Sequence, residues 1–124
     1  MEKMILDLPL IGKWYEMTTS GVKKEEYREI KPYWIRRMFK QKIICSDECR
    51  LMTPDMANFY TRFPYVLKEK YDDGILKFRY THIRIRYGYT KRTELREVES
   101  VHIGIGNPEW GAPDHDVIII KYKK

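Results

Sequence analysis

The chain is poor in cysteine: only Cys45 and Cys49 occur in 124 residues. A small secreted scaffold stapled by disulfides needs more. Their C-x3-C spacing supplies at most half of a metal site. The three histidines, His82, His102 and His115, stand at no recognisable ligand spacing. No metal or cofactor is therefore expected, and the thiols read as reduced cysteines of a cytoplasmic protein. Long apolar runs are also missing. The longest is Val117–Ile120, far short of the roughly 20 residues a membrane-spanning helix requires. The opening residues, Met1-Glu2-Lys3-Met4 and then Ile5-Leu6-Asp7, lack the apolar core of a secretory signal. A soluble cytoplasmic protein without a membrane partner is the expectation. No serine sits in a nucleophile elbow. No repeat, low-complexity tract or linker divides the chain, so residues 1–124 read as one domain.

What is present is a core's worth of apolar side chains under a crowded charged surface. Hydrophobic residues make up 43% and charged ones 34%. Lys and Arg number 24 against 18 Asp and Glu, a net charge of +6. That excess favours polyanionic partners without specifying one.

Met4 to Leu8 reads as a first strand. Pro9 then suits a helical first turn, and Leu10, Trp14 and Met17 fall on one helical stripe, predicting a helix over 9–20 that Gly21 ends. Residues 23–28 fit either a helix by propensity or an extended segment. Pro32 opens a second helix with Ile35, Met38 and Phe39 inward, and Lys42 to Cys45 reads as a strand. Residues 46–74 are the least legible, although Thr53-Pro54 signals a helix carrying Met56, Phe59, Tyr60 and Phe63. Asp73-Gly74 predicts a turn between two antiparallel strands. Beyond it the chain is β-rich. Phe78 and Tyr80 share one phase, while Ile83, Ile85 and Tyr87 share the other, which requires a bulge or bend near Thr81–His82. Val101, Ile103 and Ile105 alternate again, and Val117 to Tyr122 reads as a strand buried on both faces. Helices concentrated in the first half and strands in the second predict a small α+β domain, with an open or closed antiparallel barrel preferred.

The sharpest local feature is Gly21-Val22-Lys23-Lys24-Glu25-Glu26-Tyr27-Arg28, a G-x-K-x-x-E-x-R pattern. Gly21 lets the chain turn sharply. If the segment is extended, Glu26 and Arg28 share a face, where a carboxylate and a guanidinium can orient one another. Lys23 can aim an ammonium at a phosphate or a substrate oxygen or, if desolvated, act as a base. A solvated charge run accounts for the same residues.

This motif, preceded by Trp14-Tyr15-Glu16-Met17 and followed by Lys31-Pro32-Tyr33-Trp34 and Arg37, resembles the ASCH domain. The tail resembles it too, through Val101-His102-Ile103-Gly104-Ile105-Gly106 and Asn107-Pro108-Glu109-Trp110-Gly111-Ala112-Pro113. The resemblance implies a small PUA-like β-barrel with flanking helices, an association with RNA, and a binding cleft near the motif lysine. It carries Gly21, Lys23, Glu26 and Arg28 over as the polar signature. Some ASCH-like proteins are amidohydrolases of acetylated cytidine, with a threonine nucleophile three positions after the lysine. That position is Glu26 here. Ribonuclease activity has also been attributed to the family.

A second feature is basic and aromatic. From Gly74 to Thr93 no acidic residue occurs, and Lys77, Arg79, Arg84, Arg86, Lys91 and Arg92 alternate with Phe78, Tyr80, His82, Tyr87 and Tyr89. Lys31 to Ser46 is likewise free of acids. Basic groups track a phosphate backbone and aromatic faces stack unpaired bases; a core of Phe78, Tyr80, Ile83 and Ile85 accounts better for the aromatics, and a wet sheet face accounts equally well for the basic residues. The expectation is a nucleic-acid-binding module, RNA rather than DNA, or one recognising a modified nucleoside. Its binding residues are Lys23, Glu26, Arg28, Trp34, Arg37, Arg84, Arg86 and Trp110. The alternative is a small hydrolase of the amidohydrolase or ribonuclease type in which Lys23 and Glu26 are catalytic.

Overall fold

The computed structural model describes residues 2–43, 45–46 and 48–123. Strand β1 (Ile5–Leu10) turns Leu6, Leu8 and Leu10 inward and Asp7 outward. It ends two residues later than expected, because Pro9 lies in the strand rather than in a helix. Proline is tolerated there because β1 is an edge strand, where a missing N–H breaks no ladder. Helix α1 (Gly12–Thr19) therefore starts later and buries Tyr15 and Thr18. Gly21, at φ 85°, ends it as expected, its N–H reaching the Thr18 carbonyl while the Lys23 N–H takes that of Met17.

The extended alternative holds for the motif: β2 (Glu25–Arg28) pairs antiparallel with the last strand. Helix α2 (Pro32–Met38) begins at Pro32 and buries Ile35 and Met38. Phe39 is buried from strand β3 (Phe39–Lys42) rather than from the helix. The strand expected over 42–45 thus lies upstream, and Ile44 is outside the described residues. Strand β4 (Cys49–Leu51) follows, then α3 (Pro54–Arg62), capped by Thr53, whose hydroxyl accepts from the Met56 N–H at 3.2 Å. Its buried residues are Ala57 and Tyr60. Helix α4 (Pro64–Asp72) has no clear signal in the sequence. Asp73-Gly74 does make a turn, but it joins α4 to strand β5 (Leu76–Phe78) rather than two strands.

The bend required near Thr81–His82 is present. The chain leaves β5, the N–H groups of Thr81 and His82 both meet the Met4 carbonyl, and β6 (His82–Tyr87) starts in a different sheet with Ile83 and Ile85 inward. The long β7 (Thr93–Gly104) shifts register between Val98 and Ser100, so its first part pairs with β6 and its second with β8 (Val117–Tyr122). Val117 to Ile120 are buried on both faces of β8, as expected. Ile105, in contrast, lies past the end of β7 and is exposed.

The result is a small α+β domain with two sheets. One has the order β1-β6-β7-β8-β2 and the other β4-β3-β5. Pairing is antiparallel except between β1 and β6, so the main sheet is mixed. Among the described residues no closed barrel is found, since no backbone ladder joins edges β1 and β2. A side chain spans them instead: Arg28 Nη2 on β2 donates to the Pro9 carbonyl on β1 at 3.1 Å.

Candidate functional site

The motif straddles the end of α1 and the start of β2, and its polar groups go to two places. Lys23 and Glu26 turn inward, 3% and 0% exposed. Lys23 Nζ donates to Glu26 Oε2 at 2.8 Å, and Thr18 Oγ1 donates to Glu26 Oε1 at 2.9 Å. The Tyr122 hydroxyl donates to the Lys23 carbonyl at 2.8 Å and lies 3.5 Å from Glu26 Oε1. A buried carboxylate is tolerable only when paired and hydrogen-bonded, and this one is both. The Trp14 ring lies 5.3 Å from Lys23 Nζ. Burial lowers the Lys23 pKa from its ordinary value, while the Glu26 charge and hydrogen bond pull it upward. Burial raises the Tyr122 phenol, helped by the Glu26 charge.

Outside this cluster is an open cleft of about 580 Å³, lined by Lys23, Lys24, Arg96, Lys121 and Lys123 and one carboxylate, Glu99. Four of these five cations are partnered: Lys23 with Glu26, Arg96 with Glu94 at 3.2 Å, Lys121 with Glu99 at 3.4 Å and Lys123 with Glu97 at 3.5 Å.

The expected Glu26–Arg28 pairing is not formed. The two residues share a face of β2, but about 6.6 Å of strand separates them, and Lys23 takes the carboxylate. Arg28 Nη1 instead donates to its neighbour's carbonyl, that of Tyr27, at 2.7 Å, and Nη2 reaches Pro9. Burial lowers the Arg28 pKa and the Glu26 charge opposes this. The guanidinium carbon lies 5.3 Å from the Trp34 ring centroid, within cation–π range. Together they wall a cleft of about 300 Å³ that also involves Lys31, Gly111 and Pro113. Tyr27 ties this wall to the tail loop: its hydroxyl donates to Glu25 Oε1 at 2.8 Å and accepts the Asn107 N–H at 3.0 Å. Burial raises that phenol's pKa, against the Asn107 bond, which lowers it.

The structure thus brings together Lys23 with Glu26, and Arg28 with Trp34. Arg37 lies on α2 beside Tyr33, its guanidinium carbon 6.0 Å from that ring, in a separate cleft. Arg84 and Arg86 sit elsewhere on β6, where Asp7 of β1 meets them at 3.7 and 3.2 Å. Trp110 closes a short 3-10 turn (Pro108–Trp110) and lines neither motif cleft; its neighbour Gly111 packs on Trp14. Sequence reasoning missed Thr18 and Tyr122. Thr18 stands one helical turn past Trp14 and gave a weak signal. Tyr122 gave none, because only the β2–β8 pairing places it beside Glu26. No family model, curated protein or solved structure matches this chain.

Proposed function

We propose that the protein is an RNA-binding module of ASCH/PUA-like design, in which the Arg28–Trp34 cleft receives a base or a modified nucleoside. One observation carries the reading: a guanidinium held by two backbone carbonyls and set against an indole, with donors left over, at a concave surface. Two of five arginine N–H donors are used by protein carbonyls. The rest can read a base edge, and the indole offers a stacking surface. The Arg28–Pro9 bond across the two sheet edges supports the barrel-like reading, because it draws together the strands a barrel would pair. The buried Lys23–Glu26 cluster then supports the strand that carries Arg28.

Arg28→Lys removes the fork and Trp34→Ala the stacking surface. Each is expected to weaken binding of a short single-stranded RNA roughly tenfold or more, since a stacked base contributes about 1–3 kcal/mol. Fluorescence anisotropy on folded variants tests this, and parent-like affinity in both would refute the assignment.

A hydrolytic reading is favoured by one observation, the buried Lys23–Glu26 pair, 2.8 Å apart, with Lys23 lining the larger cleft; burial there also favours a neutral amine. In it Lys23 is the base and Glu26 the acid/base partner. Product release from RNA or acylated cytidine, abolished in Lys23→Ala, would establish it; intact substrate after prolonged incubation would dismiss it.

A further inference from the structure

Helix α2 lends Trp34 to the Arg28–Trp34 cleft and Tyr33, Arg36 and Arg37 to another, of about 370 Å³. Three arginines converge there: Arg36 and Arg37 from α2 and Arg79 from the segment after β5. No carboxylate among the described residues lines this cleft. Among the described residues none of the three has an ion-pair partner; Arg28, Arg50 and Arg62 are likewise unpaired, but only here do three such arginines line one cleft. Clustered like charges without counter-charges are unfavourable unless an anion joins them.

The three side chains are also held in place. Arg79 Nη1 donates to the carbonyls of Arg36 and Arg37, at 3.2 and 3.1 Å, so the end of α2 anchors it. Arg36 Nε reaches the Met52 carbonyl at 3.4 Å. Arg37 and Arg79 lie against the rings of Tyr33 and Tyr80, at 6.0 and 5.5 Å. Arg37 Nε is buried and among the described residues finds no hydrogen-bond partner, a donor that costs free energy as it stands. Guanidinium groups fixed at one end and open at the other match a phosphate's geometry.

The basic surface continues past this cleft. Cross-strand partners share a sheet face, so Leu51, Lys40 and Lys77 form one row across β4, β3 and β5. Leu51 also lines the arginine cleft. Lys40 and Lys77 are directly opposed like charges, an arrangement that a polyanion lying on the face relieves. Tyr33, 61% exposed, lines the arginine cleft, and its ring is 4.8 Å from that of Trp34 in the other cleft and roughly perpendicular to it.

We infer that Arg36, Arg37 and Arg79 form a phosphate site, filled by the phosphodiester adjoining the nucleotide held in the Arg28–Trp34 cleft. The strand then runs over Tyr33 and onto the Lys40–Lys77 face. The source of the phosphate rests on the RNA-binding reading; the site itself does not.

The test follows the arginine Nε–Hε NMR signals of the full chain while inorganic phosphate, and separately a short single-stranded RNA, is added. Saturable shifts confined to Arg36, Arg37 and Arg79 are expected with phosphate, and shifts of the same three together with Arg28 are expected with RNA. RNA affinity should fall about tenfold in Arg36→Gln/Arg37→Gln, with the log–log salt slope shallower by about 0.7 for each phosphate the variant no longer neutralises. Arg79→Gln is a second variant, and the double substitution stands in for it if loss of the α2 anchor prevents folding. Trp34→Ala should weaken RNA binding and leave the phosphate shifts in place. RNA binding that depends on Arg28 and Trp34 but leaves these three signals unmoved would overturn the inference and spare the RNA reading. Saturable phosphate capture without RNA binding would support the site and defeat that reading. Shifts spread evenly over all arginines, with unchanged affinity in the double variant, would overturn the site.

Discussion

Glu26→Gln removes one charge from the buried cluster and almost no volume. Lys23 Nζ, 2.8 Å from the carboxylate and nearly inaccessible, would keep its own charge and lose its counter-ion. Breaking a buried pair by removing one partner costs about 3–5 kcal/mol, a large share of the ~5–15 kcal/mol that stabilises an ordinary domain. The amide still accepts the Thr18 hydroxyl, so a cost near the lower end is expected. A pH signature accompanies it. The folded Lys23 pKa is already below its unfolded value of 10.5, and losing Glu26 removes the interaction that raises it. Between the folded and unfolded values the unfolded chain binds more protons, so stability rises with pH. The Glu26→Gln defect should therefore shrink from neutral to mildly alkaline conditions. Lys23→Met/Glu26→Gln, with no buried charge, should recover at least about 2 kcal/mol of it. Urea unfolding followed by circular dichroism reads all three proteins. A loss below about 1 kcal/mol, the level of an exposed pair, or a double variant no more stable than Glu26→Gln, would refute the argument.

Two other perturbations probe the frame around the clefts. Burial raises the phenol pKa of Tyr27 and Tyr122, and of Tyr60 and Tyr71, above the ordinary value of 10.0. The folded chain then binds more protons above that pH, so stability should fall as pH rises past about 10. Ultraviolet absorbance should show part of the ten tyrosines ionising only as the chain unfolds, whereas a single smooth titration of a folded protein would contradict this. Gly106→Ala would put a methyl group into the Tyr27 ring and within 2.8 Å of the Ala112 Cβ. Displacing Tyr27 breaks its bond from the Asn107 N–H, and a loss of about 1–3 kcal/mol in thermal unfolding is expected; an unchanged melting temperature would show that the loop yields freely.

Local signals in the sequence were reliable where one residue type has one physical use. Gly21 ended α1, Pro32 opened α2, Thr53 capped α3, and the conflicting phases around Thr81 marked the point where the chain changes sheets. Signals failed where tertiary position decides. Pro9 fits a helix start and an edge strand equally well, and only the parallel pairing of β1 with β6 chooses. Asp73-Gly74 makes a turn whatever it connects. The G-x-K-x-x-E-x-R motif was visible, and so was its extended form as one of two options. Its internal pairing was not, because alternate strand residues share a face whether or not their side chains meet. Thr18 and Tyr122 converge on Glu26 from 8 and 96 residues away. Arg79 joins Arg36 and Arg37 from 43 and 42 residues away in the same way.

RNA binding without cleavage, as proposed for this basic, aromatic-lined surface, is open to a simple test. The most direct measurement is the affinity of a labelled single-stranded RNA for the full chain across a series of salt concentrations, with the same RNA then checked on a gel. Intact RNA bound at low salt, with log affinity falling steeply and linearly against log salt, is the predicted result. No binding at low salt, or RNA recovered in fragments, would contradict it.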